Sequence, residues 1–180
     1  MMFARASEKL AGQTFLPSRT VMELGRFYKN TAWGALGYVG ILIAEEVLDV
    51  LQRAAMHDER VDPLVHLTSD IHVFEESRHM KFARAEIKDH MNRHPSRAYR
   101  VPASLVAASV GGMIVSSLVS PEVYSSAGLD RDEATMWARR NVNHRLWLAS
   151  ASRNLMDFVD RVGLAQRPSI PLYRKSGLLF

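Results

Sequence analysis

The chain has 180 residues, 47% of them hydrophobic, and no cysteine. That length suits one domain with a buried core and excludes wholesale disorder, while the missing thiols exclude disulfides, thiolate metal sites and a cysteine nucleophile. The net charge of +4 comes from scattered basic residues, with no aromatic-interleaved basic stripe and no phosphate-binding glycine loop, so nucleic acid is not an expected partner.

Residues 1–18 lack the continuous apolar segment of a signal peptide and read as a flexible lead. With no cysteine to keep reduced or oxidised, a cytoplasmic location is expected. A short helix is expected over 21–30. A long one follows over 33–56, where Gly34, Gly37 and Gly40 weaken propensity but permit close packing. Glu45 and Glu46 interrupt its otherwise apolar run. Carboxylates enter such a run when they are paired or bound to metal. Asp62-Pro63 is an N-cap followed by proline at the first helical position, so a second long helix starts there and runs to about 91. A short turn between the two implies an antiparallel pair.

The second helix carries His72-Val-Phe-Glu75-Glu76-Ser-Arg78-His79. At about 100° per residue, Glu76 lies roughly 40° from His72 and His79 roughly 20° to its other side. Two imidazoles and a carboxylate therefore share one face, and the level of Glu45 on the preceding helix agrees to within about a turn or two. An N/O donor set of this kind suits zinc, iron or manganese better than calcium or magnesium. Glu76-x-x-His79 is also the unit with which ferritin-like bundles hold a metal pair. Metal ligation is preferred here to a structural ion-pair network, because core carboxylates facing histidines are otherwise costly.

Residues 94–100 form a basic connector, and 101–121 contain no charge. A stretch of about 20 apolar residues is long enough to span a bilayer. The serines, the Gly111-Gly112 pair and the bounding Pro102 and Pro121 favour a buried bundle helix instead, so membrane association is not the expected state. Asp130-x-x-Glu133 starts another helix, expected to continue with a kink to 162 and stop at Gly163, with Trp137 and Trp147 in the core. His57, His66, His90, His94 and His144 are read as structural or exposed. Residues 166–180, with Pro168 and Pro171, read as an extended tail, which leaves 19–165 as the helical domain.

Glu45-x26-His72-x3-Glu76-x2-His79, within Ile71-His72-Val73-Phe74-Glu75-Glu76-Ser77-Arg78-His79-Met80, resembles the p-aminobenzoate N-oxygenase (AurF-type) di-iron oxygenases over about residues 20–165. The resemblance implies an all-α, ferritin-like di-iron bundle that uses dioxygen to oxidise a small substrate, typically an arylamine nitrogen. It aligns Glu45 with the third carboxylate ligand, and His72, Glu76 and His79 with the last three ligands. Glu46, Glu75 and Arg78 are then expected to orient these ligands from outside. Iron is the expected metal, with manganese the alternative.

The family site has four carboxylates and three histidines, and residues 1–40 offer only Glu8 and Glu23 and no Glu-x-x-His. The chain is therefore expected to represent a bundle truncated on its N-terminal side. Three outcomes follow: a homodimer that rebuilds the site from two halves, a split enzyme whose first half is a separate chain, or a non-catalytic remnant. A small membrane-associated protein built around 101–121 is the alternative from another class.

Overall fold

The computed structural model describes residues 2–180, and the regular structure among them is helical: α1 (Met2–Ala11), α2 (Arg19–Thr31), α3 (Ala35–His57), α4 (Pro63–Arg93), α5 (Arg97–Ser117), α6 (Pro121–Ser126), α7 (Arg131–Arg140), α8 (Val142–Ala151), α9 (Arg153–Arg161) and α10 (Ile170–Ser176). The antiparallel pair α3–α4 is the spine. Ala35, Val39, Leu42, Ile43 and Val47 recur at helical spacing along α3 and are all buried, as are Val73, Ala83, Ile87 and Met91 along α4. The caps expected between them form: the Asp62 carboxylate accepts the Leu64 N–H at 2.8 Å, with Pro63 opening α4. Asp130 likewise accepts the Glu133 N–H at the start of α7.

The uncharged segment is one helix, α5, that runs through Pro102 without breaking, although Pro102 stands inside the helix and removes one of its backbone hydrogen bonds. A window of this helix has a mean hydropathy of 1.7, high enough for a membrane span by composition. In the bundle its small residues Ala103, Ala107, Ala108 and Gly111 are buried, and it packs against α3 and α10.

Four expectations need correction. The lead is helical from Met2 to Ala11 and packs on α4; Met1 lies outside the described residues. The tail is not extended. A 3-10 turn at Arg167–Ser169 leads into α10, and Tyr173 and Leu178 are buried in the main core. Pro168 and Pro171 each occupy a first-turn position, where proline starts a helix rather than prevents one. Trp137 is 63% exposed, its indole N–H directed to Glu133 on the same helix, whereas Trp147 does pack against the core. The kink expected within 130–162 is two breaks, at Asn141, which caps α8, and at Ser152.

Two of the three early glycines earn their place by close approach. Gly34 holds φ +58 directly beneath the His90 ring, where any Cβ would collide. At Gly40 the Tyr28 ring lies flat enough against the backbone that a Cβ would meet it at 2.8 Å. The Tyr28 hydroxyl accepts the Gly40 N–H at 3.2 Å and donates to the Leu36 carbonyl, so the ring cannot simply swing away. Gly40→Ala should therefore cost about 1–3 kcal/mol by overpacking. In a Tyr28→Ala background the same change should become stabilising by up to about 1 kcal/mol, the helix-propensity gain alone. Urea unfolding of the four members of this cycle reads the reversal of sign.

Candidate metal centre

Glu45 is brought to α4 by the same face of α3 that carries Leu42 into the core. One ligand atom from each of Glu45, His72 and Glu76 lies within 4.8 Å of the others. The Glu76 side chain is only 14% exposed, and its two oxygens divide their neighbours. Oε1 is 3.8 Å from His72 Nε2, while Oε2 accepts from His79 Nδ1 at 2.9 Å. His79 is 65% exposed and sits at the open edge of the cluster, outside the group of three.

The Glu45 carboxylate is poorly satisfied. Its Oε2 is buried with no hydrogen-bond partner, and so is Oδ1 of Asp49, one turn along α3. Burial pushes the Glu45 carboxyl above its usual range and the nearby Glu76 charge pushes it further, against a smaller opposing pull from His72 and His79. Two converging carboxylates with an orphaned oxygen form an environment that a divalent cation would relieve, and the donor set fits iron, manganese or zinc.

His72 is fixed from two sides. Its Nδ1 donates to the Gln52 side-chain oxygen at 3.0 Å, and its Nε2 is turned toward Glu76. Phe3 of α1 meets the ring edge-on at a centroid distance of 4.8 Å.

The residues expected to support the ligands divide. Glu46 is tied to α4: it accepts from Arg84 Nε at 2.6 Å, and the Arg84 guanidinium lies over the Phe158 ring. Burial raises the Glu46 carboxyl while Arg84 opposes the rise. This pair clamps α3 to α4 next to the cluster without touching Glu45. Glu75 and Arg78 have no contact with the ligands among the described residues: both are exposed, and Arg78 lies over Phe74 on the outer face. The helical phase explains this, since each is about 100° or more from the Glu76 direction.

Asp49, Gln52 and Phe3 were not singled out from sequence. For the first two the signal was present: they lie four and seven residues beyond Glu45, on its own helical face. Phe3 had none, because only the tertiary docking of α1 brings it to His72.

A family model described as P-aminobenzoate N-oxygenase AurF matches residues 1–163, so the match takes in the N-terminal lead as well as the span 20–165 expected from the motif. No curated protein and no solved structure matches the chain.

Proposed function

Because this chain belongs to the p-aminobenzoate N-oxygenase AurF family, a family of ferritin-like di-iron enzymes, we propose that it binds iron through Glu45, His72, Glu76 and His79 and takes part in dioxygen-dependent oxidation of a small substrate such as an arylamine. Manganese is the alternative metal. The observation that carries this reading is the buried, unpartnered Glu45 Oε2 converging with His72 and Glu76. Structural ion pairs do not leave such an oxygen bare.

Each side chain then has a task. Glu45 and Glu76 supply the negative charge that holds a cation. Gln52 keeps the His72 proton on Nδ1, so that Nε2 is free to donate its lone pair. Phe3 packs against the His72 ring and shields it. His79 stands at the exposed edge, which makes this edge the approach for small molecules. Bound iron would supply the redox chemistry with dioxygen.

Two carboxylates and two histidines are fewer than the family's ligand set. We propose that a second copy of the chain supplies the rest through twofold pairing, since each half of a di-iron bundle gives one Glu and one Glu-x-x-His. A separate chain carrying the first half is the other source of the missing ligands.

The test is iron and manganese content per chain after anaerobic ferrous loading, with mass by light scattering. About one iron per chain in a dimer, lost in Glu76→Ala, is the expected result. A folded, soluble sample without stoichiometric metal would refute it and leave a non-catalytic remnant or a subunit awaiting its partner.

A further inference from the structure

A cavity of about 810 Å³ lies away from the metal centre, between α5, α7, α8 and α10. Its size is that of a small-molecule pocket. The floor is apolar, built from Ala108, Gly112 and Val115 on α5 and Val119 just beyond it, and closed by Leu148 and Leu172. The rim carries Arg139, Arg145 and Lys175, with His144 between them, and no carboxylate lines the cavity. None of these three cations forms an ion pair among the described residues.

The serines in the wall do not supply the missing partner. Ser109, Ser116 and Ser176 each donate to a carbonyl of their own helix. The polar character of the site is thus three cations with unspent donors, set above a floor with nothing to hydrogen-bond. A second cavity of about 380 Å³ shares Arg145 and adds Arg140 and Arg174, again without an acidic side chain in its lining. Positive charge is therefore concentrated on this end of the bundle rather than balanced as on α3 and α4.

We propose that this cavity binds a small amphipathic anion, a carboxylate or phosphate headgroup held by Arg139, Arg145 and Lys175 with its apolar body on the α5 floor. Charge complementarity selects the headgroup, since arginine pairs with carboxylate and phosphate in two parallel hydrogen bonds. The small residues Ala108 and Gly112 leave room for the body. At Gly112 a Cβ would meet only the Ser176 Cβ, at 3.7 Å, so a larger side chain there projects into the cavity without disturbing the helix.

The test is calorimetric titration of the full chain with monomeric decanoate, and with decyltrimethylammonium as a chain-matched cation. Saturable one-to-one binding of decanoate, with none for the cation, is expected. Arg145→Gln combined with Lys175→Gln should weaken decanoate binding about tenfold or more, the loss expected for charge-assisted hydrogen bonds. Gly112→Leu should abolish it by filling the floor, while Lys88→Gln, an exposed cation on α4, leaves it unchanged. Thermal unfolding of each variant establishes that the fold is retained. Equal binding of anion and cation, or decanoate binding untouched by both the charge and the floor variants, would overturn the proposal. So would capture by phosphatidylglycerol vesicles without any binding of monomeric decanoate, which would assign the charge to a membrane surface instead.

Discussion

Glu45→Gln is expected to make the metal-free protein more stable while abolishing stoichiometric iron binding. The wild-type carboxylate is held in an unfavourable place: buried on one oxygen, unpartnered there, and close to Glu76. An amide of the same shape removes the desolvated charge and the repulsion, and its N–H group can donate to Glu76. It also removes the anionic donor that a metal needs. The sign in pH follows from the raised carboxyl. A carboxyl whose folded-state value lies above 4.5 binds its proton more readily in the folded state. Its contribution favours folding at low pH and is lost as pH rises through the elevated folded value. The metal-free wild type should therefore lose stability across that window relative to Glu45→Gln, and the two should converge as pH falls toward 4.5. Melting curves across pH read this, with about 2–4 °C for each kcal/mol in a chain of this size. Adding ferrous iron should invert the order at neutral pH, because only the wild type gains binding energy from it. A Gln variant less stable than the wild type without metal would sink the argument that this site is strained for a cation.

Tyr173→Ala should destabilise the whole bundle by about 3–5 kcal/mol, the cost of removing a large aromatic from a closed core. Tyr173 is fully buried, burial pushes its hydroxyl to titrate well above the usual tyrosine range, and that hydroxyl donates to the Leu164 carbonyl at 3.1 Å. It anchors α10 on α5, and next to it Leu178 fills the space beside Gly111 and Ile43. Against a typical total of about 5–15 kcal/mol, such a loss brings the protein close to unfolding at ambient temperature. Tyr173→Phe keeps the ring and loses one hydrogen bond, for about 1 kcal/mol. Chemical denaturation separates the two; equal, small effects would mean that the C-terminal segment is dispensable to the core.

The ends of the chain were the least legible part of the fold. Residues 166–180 contain two prolines and three cationic side chains within a short span, and proline reads as a breaker when its position in a helix is unknown. What makes the segment helical is that Tyr173, Leu178 and the preceding Leu164 find a groove beside α5. The lead failed for the same reason: α1 gains its order by docking on α4, which no local spacing records. Trp137 shows the converse, an aromatic at helical spacing that the bundle leaves exposed.

By itself the sequence determined the helical class, the α3–α4 pair with its caps, and the common face of His72, Glu76 and His79 on α4, because helical period and capping are local rules acting along one chain. Only the tertiary structure decided that Glu46 is bound to Arg84, that Glu75 and Arg78 face outward, that His79 stands at the exposed edge, and that Gln52 and Phe3 hold His72. Those assignments depend on how two helices are rotated against each other and on what docks over them, and that rotation is set by the packing of the whole core rather than by any one segment.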